Sequence, residues 1–209
     1  VSRKTLALIG VFIATMVLDQ ATKAWVYTQI SPGSPGIEVI PHLFSIVHAQ
    51  NPGAVAGILK GYTWLFLIFT GVALYLVWSM WRKVEANEGM LPSILGLILG
   101  GALGNAVDRV HKGTVTDFLR VYSDAPAVVA KVQALFGDWA GGGRVVEWPT
   151  FNVADMALVV GVIAYVGYTM KYGEPEGPVT AEEPPPTPDG AESAGTTPES
   201  APPAAPPAS

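Results

Sequence analysis

Asp19 with Lys23, Asn51, Asn105 with Asp108 and Arg109, Asp117, and Asn152 with Asp155 are polar groups set in or beside strongly apolar sequence. A charge at the centre of a bilayer costs roughly 2.5–3.5 kcal/mol on insertion scales, so charges retained in such sequence mark pairing or function. With no Cys the chain has no thiol nucleophile, no disulfide and no thiolate metal ligand. Any catalysis therefore falls to carboxylates, hydroxyls, His or Lys. Two carboxylates sharing a site suit acid/base chemistry, because like charges a few ångströms apart resist double ionisation and hold one proton between them. Asp19 and Lys23 stand four apart and pair on one helix face. Asp108 and Arg109 read as a local pair that finishes a helix.

Something must hold these groups together, and composition indicates what. At 209 residues, 50% hydrophobic and 14% charged, the chain is too apolar for an ordinary soluble domain and reads as a polytopic membrane protein. The formal charge of -5 arises in the acidic stretch after Gly173, so it carries no message about nucleic acid or other partners. Four segments, at about 5–26, 61–81, 91–110 and 151–170, are apolar over the length of about 20 residues that crosses the hydrocarbon core. The first is expected to be retained as a membrane helix, since no clear small-x-small cleavage site follows it. In the third, Gly96, Gly100 and Gly104 recur every four residues and let a neighbouring helix approach closely.

The connections are expected to be partly extended. Residues 37–40 and 43–49 read as two strands, Asn51-Pro52-Gly53 as a turn, and 54–59 as a helical turn. After the third helix the chain turns at Gly113 into a β-branched run that carries Asp117. The long connection 122–149 is expected to contain a helix over 125–136 with Val128, Val132, Leu135 and Phe136 on one apolar side, a break at Gly141 to Gly143, and a strand over 144–148. An amphipathic helix of that kind suits the membrane interface. Residues 173–209, rich in Pro, Glu, Ala, Ser and Thr, read as a disordered tail on a membrane domain of residues 1–172.

Helix parity places all the singled-out polar residues at one face of the membrane. The dense basic pairs Arg3-Lys4 and Arg82-Lys83 assign both termini to the cytoplasm, which puts that polar face outward.

The clusters Asp19-Gln20-x-x-Lys23, Asn51-x-Gly53-Ala54, Gly104-Asn105-x-x-Asp108-Arg109, Val115-x-Asp117-Phe118 and Phe151-Asn152-x-Ala154-Asp155, in this order, resemble bacterial lipoprotein signal peptidase, signal peptidase II. The resemblance implies an α-helical membrane protein with four transmembrane helices and a small extracytoplasmic β-rich cradle, multi-pass in the bacterial inner membrane. It implies an aspartic endopeptidase that cleaves diacylglyceryl-modified prolipoproteins just before the lipid-modified cysteine. Asp117 and Asp155 would be the catalytic pair, with Asp19, Lys23, Asn51, Gly53, Asn105, Asp108, Arg109, Asn152 and Ala154 shaping the site. The same likeness leads to the expectation of a monomer that contacts membrane lipid, binds no nucleic acid and uses no cofactor or metal. The sequence departs from the family pattern at Val55 and Ala56, where a further Ala and an aromatic are usual, in the length of 122–149, and in the tail.

Three other readings compete. A proton or ion carrier would need polar groups through the whole membrane, whereas the inner half of these helices is bare. A metal-dependent membrane hydrolase could draw on Asp19, Asp117, Asp155 and His111, but no metal-ligand spacing such as H-E-x-x-H is present. A structural assembly protein would explain the glycines and leave the two aspartates unexplained. His42 and His48 read as satisfied loop residues.

Overall fold

The computed structural model of the protein describes residues 1–53, 63–137 and 143–175. Four of its helices are long and apolar enough to cross a membrane: α1 (Arg3–Gln29), α2 (Thr63–Lys83), α3 (Met90–Lys112) and α5 (Val153–Tyr172). Between them lie β1 (Ile37–Ile40), β2 (Phe44–Asn51), β3 (Val115–Ser123), the shorter helix α4 (Pro126–Phe136) and β4 (Val146–Glu147). The helix ends follow local chemistry. Ser2 caps α1 by accepting the Thr5 N–H at 3.4 Å. Gly113, at φ 74°, ends α3 in the left-handed conformation that a Cβ disfavours, and its N–H returns to the Arg109 carbonyl at 3.0 Å. Asn152 starts α5 with a reciprocal capping box to Asp155.

The central helix is α3, which packs against α1, α5 and α2 and is buried along most of its length. Among membrane helices apolar attraction offers little driving force, so close backbone approach matters more. The glycines supply it. A Cβ on Gly96 would lie 2.7 Å from the Leu8 carbonyl oxygen, one on Gly100 2.7 Å from the Thr15 side chain, and one on Gly104 2.6 Å from Asp19 Oδ2. Gly101 faces α5 at Ala154, and Gly161 of α5 faces Ile98. The outward faces keep large apolar side chains exposed, among them Ile13 and Leu18 on α1, Phe69 on α2 and Ile163 on α5. That is the pattern of a surface whose solvent is lipid.

The strands form one antiparallel sheet in the order β1-β2-β3-β4. Its central pair aligns Ala49 with Asp117 and Asn51 with Val115, with an irregularity between Ile46 and Ala49. Phe151, one residue before the cap of α5, bridges Leu119, donating to its carbonyl at 3.1 Å and accepting its N–H at 2.8 Å. The start of α5 is thereby stitched to β3 two residues beyond Asp117.

The four spans, both early strands and the 144–148 strand lie where the sequence places them, with ends displaced by a few residues. The expected helix over 125–136 forms as α4. Val129 is the buried residue, while Val128 and Leu135 are exposed. The expected turn at 54–59, with Val55 and Ala56, falls outside the described residues, as do Gly141 and Gly142 of the expected break and the tail from residue 176.

The glycine contacts generate a paired prediction. Gly104→Ala must displace buried Asp19 or the α1–α3 contact, an overpacking cost of about 1–3 kcal/mol. Gly10→Ala points a methyl into open space, where replacing helical Gly gains roughly 0.5–1 kcal/mol. Thermal melts in detergent should show a clear drop in midpoint for Gly104→Ala and none for Gly10→Ala.

Candidate active site

Lys23 on α1 is 1% exposed, a burial an ammonium tolerates only when paired. Its Nζ has three protons and finds three acceptors: Asp19 Oδ2 at 2.9 Å, Asp108 Oδ2 at 3.2 Å and Asn105 Oδ1 at 3.0 Å. Each acceptor carries the arrangement further. Asp19 Oδ1 takes the Ala154 backbone N–H at 2.9 Å, which satisfies one of the orphan donors at the start of α5. Ala154 is fully buried there against Gly104, so only a small side chain fits. Asp108 Oδ2 takes the Thr116 N–H at 3.1 Å and so fixes the start of β3 one residue before Asp117. Lys112 reaches Asp108 Oδ1 at 3.0 Å.

Asn105 is oriented by the same ammonium. With its Oδ1 turned to Lys23, its Nδ2 donates to Asp155 Oδ1 at 2.7 Å. Asn152 completes the bridge, its Nδ2 donating to both Asn105 Oδ1 at 3.1 Å and Asp117 Oδ1 at 2.7 Å. The two carboxylates are thus joined through two amides, Asp117 to Asn152 to Asn105 to Asp155. The second oxygen of each is also held. Asn51 Nδ2 donates to Asp117 Oδ2 at 3.0 Å, and the Asn152 N–H donates to Asp155 Oδ2 at 3.1 Å. Asn51 is itself fixed by the Gly53 N–H on its Oδ1 at 3.0 Å, and Gly53 sits at φ 144°, where an L side chain is strained.

Both carboxylates open on a cavity of about 510 Å³ whose walls include Asn51, Pro52, Phe66, Arg109, Trp148 and Phe151. Burial pushes the Asp117 carboxyl up to about 6, and the neighbouring Asp155 charge adds to this. The amides of Asn51 and Asn152 and the Lys23 charge oppose the rise. A carboxyl that keeps its proton into the mildly acidic range, facing a second carboxylate, can exchange a proton with a bound reactant.

All the site residues singled out in the sequence meet at this end of the helices. One expected contact is absent: Asp108 pairs with Lys23 and Lys112, and Arg109 has no carboxylate within ion-pair reach among the described residues. Adjacent residues on a helix point about 100° apart, and Asp108 is turned inward where the buried ammonium stands. The Lys112 partnership is visible in the sequence as an i, i+4 spacing. Gln20 lies inside the first motif with no legible role there, yet it donates to Asp19 at 2.9 Å and to the Gly104 carbonyl at 3.2 Å. Phe66 and Trp148 have no sequence signal beyond being aromatics near helix starts. His42 and His48 are satisfied, by Asp124 and by the Ile30 carbonyl with Gln50. Among the described residues no group of three His, Asp or Glu side chains is placed to hold a metal ion.

Comparison with known proteins identifies relatives over most of the chain. The family model described as signal peptidase (SPase) II matches residues 11–171. A lipoprotein signal peptidase of Nitratidesulfovibrio vulgaris is 34% identical over 179 residues, 83% of this chain and 94% of that protein. One from Geobacter sulfurreducens is 36% identical over 156 residues, 73% of this chain and 84% of its own length. Two solved structures described as bacterial membrane enzymes, determined in meso at 2.3 and 1.9 Å, superpose with TM-scores of 0.62 and 0.61. They are 29% and 30% identical and cover 78% and 79% of this chain, and 87% and 93% of their own.

The ammonium hub predicts a specific energetic pattern. Lys23→Met keeps the length of the side chain and removes the charge, leaving Asp19 and Asp108 buried beside each other. Breaking a buried pair from one side costs about 3–5 kcal/mol. Adding Asp19→Asn should recover part of the loss, because the stranded charge is then removed as well. A double variant no more stable than Lys23→Met, in detergent unfolding, would contradict the hub.

Proposed function

The chain belongs to the signal peptidase II family, and on that premise we propose that Asp117 and Asp155 are the acid/base pair of an aspartic endopeptidase. The protein is a multi-pass bacterial membrane protease that removes signal peptides from prolipoproteins. The observation that carries the catalytic assignment is the amide bridge: the two carboxylates line one cavity, tied together through Asn152 and Asn105.

In this reading the pair holds one proton, drawn to Asp117, whose carboxyl stands at about 6. Ionised Asp155 takes a proton from water as the water oxygen attacks the scissile carbonyl carbon, and Asp117 gives its proton to the carbonyl oxygen. A tetrahedral diol results. Its collapse breaks the C–N bond, with the proton now on Asp155 passing to the leaving nitrogen and one hydroxyl proton returning to Asp117. No covalent enzyme intermediate is formed. The peptide bond cut is the one just before the lipid-modified cysteine. Asn105, Asn152 and Asn51 hold the carboxylates in place, and Asp19, Lys23 and Asp108 hold the elements that carry them.

The orientation follows from charge density in the short basic segments: both termini cytoplasmic, and the cavity at the outer face. The cavity then opens at the level where a lipidated substrate presents its cleavage site.

Asp117→Asn and Asp155→Asn should each abolish cleavage of a diacylglyceryl-modified prolipoprotein in detergent while leaving the melting midpoint near wild type, and EDTA should leave the wild type active. Substantial activity in either variant, or inactivation by chelator, contradicts the assignment. The pH dependence has a defined sign. The pair works with one proton, so kcat/KM should fall as pH rises through the upper apparent pKa, near 6 in the free enzyme. In kcat this limb should lie higher, because bound substrate buries the pair further. A single Cys at position 123 should label from outside intact cells; labelling only from the cytoplasmic side would reverse the orientation.

A further inference from the structure

Arg109 occupies an unusual position for a guanidinium. It is half-buried in the last turn of α3 and lines the same cavity as Asp117 and Asp155. Yet it forms no ion pair with either aspartate among the described residues. Its Nη1 donates a long hydrogen bond to the Asn105 carbonyl, at 3.4 Å. Arginine with two nearby carboxylates would ordinarily close on one of them as a bidentate pair, the strongest arrangement open to it. Here its guanidinium carbon lies 4.3 Å from the centroid of the Phe66 ring. Phe66 comes from α2, the span without an acidic residue, and it is the residue through which α2 reaches the cavity among those described.

We propose that Phe66 is a positioning residue for this reaction: its ring face holds the Arg109 guanidinium against the cavity wall, off both aspartates, with its free N–H donors left for the substrate backbone. The proposal rests on the acid/base reading above and adds the device that keeps the pair from being quenched. A cation over a ring face is attracted by the ring quadrupole, more strongly where water is excluded. An aliphatic side chain of similar bulk fills the space without that attraction. Freed, Arg109 would swing to a carboxylate, hold it ionised and remove the shared proton.

The charged groups around the pair are Arg109 from α3 and Lys23 and Asp19 from α1, with Asp108 and Lys112 of α3, paired to each other, at Thr116 beside Asp117. The elements β2 and α2 present Asn51, Gln50 and Phe66 to the cavity, while His48 of β2 is spent on the Ile30 carbonyl and Gln50. Of these cations, Lys23 is locked by three acceptors and Lys112 is paired with Asp108. Arg109 is therefore the one whose movement would change the protonation of the pair.

The test is the cleavage kinetics of full-length protein with a diacylglyceryl-modified prolipoprotein, read as pH profiles. Phe66→Leu should lower kcat about tenfold or more and move the alkaline limb to lower pH, because a carboxylate paired with Arg109 loses its proton sooner. Phe66→Tyr and Phe66→Trp, which keep a ring face, should restore most of the rate and the wild-type limb. Adding Arg109→Gln to Phe66→Leu should return the limb toward its wild-type position, although the rate stays low. If Phe66→Leu fails to fold, Phe66→Met carries the same comparison. An unshifted limb in Phe66→Leu, or equal losses in the aromatic and aliphatic variants, overturns the proposal. Failure of the acid/base reading would register separately, as activity remaining in Asp117→Asn or Asp155→Asn.

Discussion

A buried ammonium with three acceptors is the constraint on which the remainder of this site depends. Lys23 cannot lie 1% exposed without full pairing, and its three partners are spread over two helices. Satisfying it fixes α1 against α3. Each fixed acceptor then positions something further. Asp19 holds the first turn of α5, Asp108 holds the first residues of β3, and Asn105 is turned so that its amide nitrogen meets Asp155. Both carboxylates are thus located by one charge that touches neither of them. Such a cluster is a poor source of net stability, since desolvation offsets most of its Coulombic gain. Its value lies in admitting a single arrangement.

That arrangement is possible because the helices come unusually close. Asp19 reaches the backbone of α5 only across Gly104, where even a methyl group would meet its carboxylate oxygen at 2.6 Å. Close approach and polar network are therefore one feature, not two. The sheet supplies the remaining piece. The bridge of Phe151 to Leu119 carries the end of the long connection back to β3, so Asp117 and Asp155, 38 positions apart in sequence by their numbering, are held by a few main-chain bonds. A long insertion between β3 and α5 is tolerated because its two ends are tied where they leave and rejoin the site.

Much of this is legible in the sequence because it rests on short-range spacing. Asp19 and Lys23 four apart and Gly113 after an apolar helix are local statements, and each produces the structure expected of it. The features that escape the sequence depend on tertiary context. Adjacency suggests Arg109 as the partner of Asp108, but α1 brings Lys23 to its inward face. Phe66 carries no local signature at all: its contact with Arg109 exists only because α2 and α3 are neighbours.

Whether Asp117 and Asp155 share one proton inside a fixed amide bridge is read most directly by carboxyl titration, followed by 13C NMR on protein labelled at aspartate and assigned by single substitution. The expected result is an Asp117 carboxyl titrating near 6 that falls part of the way toward the ordinary carboxylate range in Asp155→Asn, since removing the neighbouring charge leaves burial in place. An Asp117 carboxyl that titrates in the ordinary carboxylate range in the wild type, and does not respond to loss of Asp155, would contradict the shared proton.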